Sequence, residues 1–107
     1  MLDHAILVED VSFCVLRGSR VVATVYWSDI TEIVLLKRAG NKKEIFGLEF
    51  KYTPDGHFVE VDEEVLGFDD LIRILRNQCH GFDAKWRKRA DILSLCRFSS
   101  IFEAPSE

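Results

Sequence analysis

Cysteine is scarce and unpatterned in this chain of 107 residues: Cys14, Cys79 and Cys96 are an odd number and contain no C-x-x-C pair. That count suggests neither a disulfide framework nor a zinc ribbon, and it suits a reducing compartment. Cys14 lies in an apolar strand-like run and Cys96 in Leu95-Cys96-Arg97-Phe98, where free cysteines are expected to act as small buried hydrophobes. Long apolar runs are missing too. No stretch approaches the ~20 residues needed to cross a bilayer. The run Ala5-Ile6-Leu7-Val8, flanked by Asp3, His4, Glu9 and Asp10, has neither the basic region nor the apolar length of a signal peptide. A soluble, cytoplasmic protein with no membrane span is expected. Positive charge is in deficit, with fourteen Lys and Arg against eighteen Asp and Glu and a net charge of −4. Such a balance repels a phosphate backbone, so no nucleic acid is expected as partner, whereas a basic protein is.

Sequence motifs for catalysis are also absent. There is no G-x-G-x-x-G, no G-x-x-x-x-G-K-[ST], no G-x-S-x-G and no H-E-x-x-H, hence no phosphate cradle, nucleophile elbow or zinc helix. The histidines are scattered at His4, His57 and His80. Cys79-His80 resembles a nucleophile and base only on paper, because neighbours on a helix point about 100° apart. A histidine at a helix end, favoured by the dipole, is the expected reading. No catalytic residues, no cofactor and no metal are assigned.

What the chain does have is core material. Hydrophobic residues make up 48%, with eight Phe, two Trp and two Tyr, enough for one domain over residues 1–107 without cross-links. Residues 1–10 and 103–107 are expected at its periphery. Residues 11–16 and 21–27 are β-branched and aromatic, and Arg17-Gly18-Ser19-Arg20 between them makes a hairpin turn. Neither face of the second of these strands is strongly polar, which predicts a central position in the sheet. Asp29 with Glu32 permits a helical turn, after which Ile33-Val34-Leu35-Leu36 predicts a third strand. Residues 45–52 alternate, with Phe46, Leu48, Phe50 and Tyr52 on one face. Thr53-Pro54-Asp55-Gly56 marks a turn before a fifth strand at 57–62.

From Phe68 the period changes. Phe68, Leu71, Ile72 and Leu75 predict an amphipathic helix that begins after Gly67 and ends at Gly81, with Asp69 and Asp70 early and Arg73 and Arg76 late. Asp83 is the expected cap of a second helix carrying Trp86, Ala90 and Leu93. Residues 95–102 fit a final strand or an extended arm. The expected fold is α+β: a single antiparallel meander of about five strands, two helices packed on it and a short C-terminal strand or arm.

The most distinctive segment is acidic. Glu60, Asp62, Glu63, Glu64, Asp69 and Asp70 fall together with no base among them. If the fifth strand runs through Glu64, then Phe58, Glu60, Asp62 and Glu64 share one face while Val59 and Val61 turn inward. Three readings are open: a solvated face that blunts a sheet edge, a divalent-cation site, for which the D-x-[DN]-x-[DN]-G pattern is missing, and a docking surface that steers a basic protein. Positive charge clusters at Lys37, Arg38, Lys42 and Lys43, and at Lys85, Arg87, Lys88 and Arg89 around Trp86. The first group suits a headgroup or phosphate site. The second suits a solvated helix face with Trp86 as core anchor.

Two resemblances rest on these segments. Trp27-Ser28-Asp29-Ile30-Thr31-Glu32-Ile33, a strand that bends through Asp-Ile into another, resembles a pattern in bacterial pleckstrin-homology-like domains. Together with Val59-Glu60-Val61-Asp62-Glu63-Glu64 and Gly67-Phe68-Asp69-Asp70-Leu71 it is similar to small bacterial α+β proteins of the immunity-protein type. The latter resemblance implies a non-enzymatic inhibitor of a toxin domain, docking through the six acids as a monomer or weak homodimer. The former implies a ligand- or lipid-binding module using Lys37, Arg38, Lys42 and Lys43.

Overall fold

The β-branched and aromatic runs of the first half all become strands in the computed structural model, which describes residues 4–39, 43–52, 57–79, 81–82, 85–86, 88 and 98–104. Strands β1 (His4–Val8), β2 (Ser12–Arg17) and β3 (Arg20–Tyr26) form an antiparallel meander in the order β1-β2-β3. The β2–β3 turn places Gly18 at φ 64°, a conformation that side chains disfavour. A single 3-10 turn, Trp27–Asp29, then carries the chain out of this sheet. Strands β4 (Ile30–Ala39), β5 (Glu44–Tyr52), β6 (His57–Asp62) and β7 (Phe98–Glu103) build a second antiparallel sheet in the order β6-β5-β4-β7. Helix α1 (Phe68–Gln78) lies between β6 and β7 along the chain.

The expected single five-stranded meander with two helices is therefore corrected to seven strands in two sheets, with one helix among the described residues. Three physical reasons account for the change. The turn at Trp27–Asp29 is a switch between sheets, where the sequence suggested a bend within one. Ala5-Ile6-Leu7-Val8 is short and flanked by charge, yet it pairs with β2 from His4↔Arg17 to Val8↔Phe13. Residues 98–103 pair with β4 despite their serines. The second helix expected after Asp83 lies almost wholly outside the described residues. Strand β3, expected in the centre of a sheet, is at an edge. Its two apolar faces reflect core packing on one side and an exposed apolar surface on the other.

The two sheets bury their inner faces against each other. Ile6, Phe13, Val15 and Val25 come from the first sheet, and Ile33, Leu35, Leu48, Phe50 and Val61 from the second. Phe13 packs between Trp27 and Phe50 with ring centroids 5.3 and 4.9 Å apart. Phe68, Leu71 and Leu75, the predicted stripe of α1, join the same core. Trp86 is buried, 5.2 Å from Phe46 and 6.4 Å from Phe68 by ring centroid, as a core anchor.

One seam ties the second sheet to the first. Past β6 the chain reaches back to β1: the Ile6 N–H donates to the Leu66 carbonyl at 2.7 Å, and Ala5 bridges Leu66 in parallel. The next residue, Gly67, has φ 93°, and a Cβ there would run into the Ile6 carbonyl oxygen. A Gly67→Ala substitution therefore meets both left-handed backbone strain and a backbone clash. We expect it to cost at least about 2 kcal/mol in urea denaturation. Gly18→Ala, with open space around it, should cost only about 1 kcal/mol.

Candidate functional site

Strand β6 sets out the first acids by alternation. Val61 is buried and Val59 packs against the core, so Phe58, Glu60 and Asp62 face outward. In register with β5, Glu60 stands opposite Glu49 and Asp62 opposite Gly47. The strand ends at Asp62, where one further bond to β5 is followed by a turn. Glu63 N–H donates to the Phe46 carbonyl at 3.1 Å, and Phe46 N–H donates to Glu63 Oε1 at 3.4 Å. The Glu64 N–H donates to Asp62 Oδ1 at 2.9 Å, an Asx turn, while the Val65 N–H donates to the Asp62 carbonyl at 3.1 Å. Glu64 thus leaves the face shared by Glu60 and Asp62, and the continuous row of four expected from a longer strand does not form.

The turn and the seam together aim the rest. Leu66 is tied to β1 and α1 starts at Phe68, which puts Asp69 and Asp70 in the first helical turn, both exposed. Their charge is favoured there by the helix dipole. The Arg73 Nη2 group donates to Asp70 Oδ1 at 3.0 Å in solvent, a contact worth little. The outcome is a surface hollow of about 340 Å³ in which Glu63, Glu64, Asp69 and Asp70 surround Leu66 and Phe68, with no basic residue among the described residues of its wall. Of the six acids, these four are gathered. Glu60 and Asp62 remain beside them on the outer face of the second sheet.

Two members of this group have structural duties: Asp62 holds the turn and Glu63 holds the edge of β5. Sequence reasoning missed two others. Leu66 is 75% exposed in the midst of the acids, and it belongs to no helical or strand period that would have marked it. Glu49 joins the acidic sheet face only through the register with β6. No three His, Cys, Asp or Glu among the described residues come close enough to hold a metal ion. The carboxylates line a hollow without converging, so the cation reading finds no donor set here.

The basic groups are less available than their sequence clustering suggests. Lys37 is largely covered, with a side-chain exposure of 12%, and its Nζ lies 3.7 Å from Glu44 Oε1. Lys43 is exposed, while the side chain of Arg38 and the whole of Lys42 lie outside the described residues. Lys85 and Lys88 are exposed beside the buried Trp86, and Arg87 and Arg89 are outside the described residues. Cys14 and Cys79 are free and buried. Cys14 Sγ sits 3.6 Å from Glu9 Oε1 and 3.6 Å from Thr24 Oγ1. Burial pushes the Cys79 thiol from 9.0 up to about 11, the opposite of what a thiolate nucleophile requires. Cys96 and His80 are outside the described residues. No helix among the described residues is long and apolar enough to cross a membrane. Comparison with protein-family models, curated proteins and solved structures finds no match.

Two measurements separate structural from available groups. Asp62→Ala should cost about 1 kcal/mol in urea denaturation through loss of the Asx turn, and Glu64→Ala less than about 0.5 kcal/mol. The raised thiol pKa of Cys79 stabilises the fold below pH 9, where both states keep the proton. That contribution should fade as pH climbs from 9 to about 11, because the unfolded thiol ionises first. Cys79→Ala should shift stability by a constant amount at neutral pH and lose part of the alkaline decline.

Proposed function

We propose that this protein is a small cytoplasmic binding module without catalytic activity, which docks a basic protein onto the acidic hollow at the start of α1. The observation that carries the reading is the hollow itself, where four carboxylates surround the exposed Leu66 and no lysine or arginine among the described residues lines the wall. A carboxylate ring accelerates encounter with a positively charged surface, and a central apolar side chain holds the complex once it forms. Glu64, Asp69 and Asp70 contribute charge at little structural cost. Glu60 and Asp62 extend the same negative field across the neighbouring sheet face.

In its most concrete form the partner is a toxin domain and the protein is its immunity-type inhibitor. A toxin that acts on nucleic acid needs a basic surface, and an acidic module that covers it blocks access of the phosphate backbone. This form of the reading is an analogy of type, a small acidic single domain without a catalytic motif, and the acidic hollow supports it. The headgroup-binding alternative gains nothing comparable, since the Lys37 side chain is largely covered, with 12% exposure.

Two outcomes test the reading. The gene should lie directly downstream of a secreted, toxin-like reading frame, and the purified pair should form a complex whose association rate falls steeply with salt. Charge reversal at Glu64 and Asp69 should slow association at least about 10-fold, whereas Leu66→Ala should mainly speed dissociation. A housekeeping gene neighbourhood together with no basic partner, or a complex indifferent to these reversals, would overturn it.

A further inference from the structure

Strand β3 is a sheet edge without the devices that usually protect one. It ends the order β1-β2-β3, and among the described residues no strand pairs with its far side. The Trp27 N–H donates to the Val11 carbonyl at 3.1 Å, one residue beyond the Ser12↔Tyr26 pair, so that pair exchanges no backbone bonds. By alternation Ala23 and Val25 direct their N–H and C=O groups to Val15 and Phe13 of β2. Thr24 and Tyr26 therefore aim theirs away from the sheet, two donors and two acceptors in one row. Edges are ordinarily blunted by a lysine, a proline or an inward-pointing charge. From Val21 to Trp27 there is no charged residue, no proline and no glycine. Val21, Val22, Thr24 and Tyr26 are exposed, and Ala23 on the inner side is only half-buried. The one protection is a bulge at Val22, which lies outside the straight stretch from Ala23 to Tyr26.

The protein partner that fits such a row is another extended strand, whose own donors and acceptors recur at the same spacing. We infer that this strand is β3 of a second copy of the chain, antiparallel across a two-fold axis at Val25. In that register Thr24 of each copy exchanges both backbone bonds with Tyr26 of the other, and all four outward groups of each strand are used. Val25 stands opposite its own counterpart, and Tyr26 lies beside Thr24 of the other copy, an aromatic against a β-branched side chain. Neighbouring registers do worse. An axis at Thr24 sets Tyr26 against the bulge at Val22, and an axis at Tyr26 sets Thr24 against Ser28 in the 3-10 turn. With no charge between Val21 and Trp27 to hold two copies apart, the strand is its own complement, as an isologous contact requires.

The size of the contact sets its strength. About five paired residues make an edge roughly 17 Å long and about 10 Å deep. That is far below the area of about 800 Å² per partner found in stable interfaces. Four backbone bonds carry most of the contact, so the dimer is weak and concentration-dependent. It uses none of the acids of the hollow at α1, and this contact and the proposed docking function can therefore fail independently.

Sedimentation velocity of the full chain from about 10 µM to about 1 mM is expected to show a reversible shift from monomer toward twice that mass. Over the same range amide hydrogen exchange at Thr24 and Tyr26 should slow about 2-fold or more, as their N–H groups become bonded. Two double variants read the register, with their folds verified by near-ultraviolet circular dichroism. Thr24→Lys with Tyr26→Lys sets lysine opposite lysine and should leave the protein monomeric. Thr24→Lys with Tyr26→Glu sets lysine opposite glutamate twice and should dimerise at least about 10-fold more tightly than the first variant. Leu7→Lys, on the strand remote from this edge, should leave dimerisation unchanged. A protein that stays monomeric to about 1 mM, a dimer whose Thr24 and Tyr26 amides exchange as fast as in the monomer, a dimer weakened by Leu7→Lys, or two double variants that behave alike would each overturn the inference.

Discussion

The packing of Phe13 between Trp27 and Phe50 is the contact on which the remaining architecture depends. It joins β2, the turn between sheets and β5 at a point where all three side chains are buried. Neither sheet is stable alone, since a three-stranded meander has an apolar inner face that must be covered and the four-stranded sheet has another. Trp27 also fastens the turn by donating its Nε1–H to the Asp10 carbonyl at 3.1 Å and its backbone N–H to the Val11 carbonyl at 3.1 Å. The switch between sheets is thereby anchored to the turn before β2. With that angle set, α1 closes the open side of the core through Phe68, Leu71 and Leu75.

The short segment from Asp62 to Gly67 serves structure and function at once. It ends β6, crosses to the first sheet, pairs with β1 and delivers the helix start, all within six residues. Its backbone is held at Glu63, Glu64, Val65 and Leu66 by bonds to Phe46, Asp62 and Ile6. Half of its six residues carry carboxylates, of which Asp62 and Glu63 also accept backbone N–H groups and Glu64 is exposed. Acids also suit the location for a local reason, because the N-terminus of α1 favours negative charge. A rigid backbone with outward charge is a preorganised surface, which limits the ordering cost of binding.

Much of the local structure was legible in the sequence. The hairpin around Gly18, the alternation of β5, the inward Val61 and the stripe of α1 follow from side-chain period and turn chemistry, which act over a few residues. The division into two sheets was not legible, because strand pairing depends on contacts distant in sequence: β1 reads as a fragment until Leu66 is beside it, and β7 reads as an arm until it is seen against β4. The site was legible in composition and misjudged in shape. The run of acids was evident, but the turn formed by Asp62 and Glu63 breaks their row, and only tertiary structure puts Leu66 at their centre. The edge position of β3 was hidden for a related reason, since an apolar outer face imitates burial.

The pairing of β4 has a temporal side. Its first neighbour, β5, arrives within a short loop, whereas its other neighbour, β7, is made roughly sixty to seventy residues after β4 itself. A ribosome emits chain at about 5–20 residues per second, so for several seconds β4 is a bare edge beside hydrophobic neighbours, and β1 likewise waits for Leu66. Local hairpins form in microseconds. The nascent protein therefore spends most of its synthesis as two assembled hairpin units whose union must await later segments, an interval in which a chaperone would find its substrate.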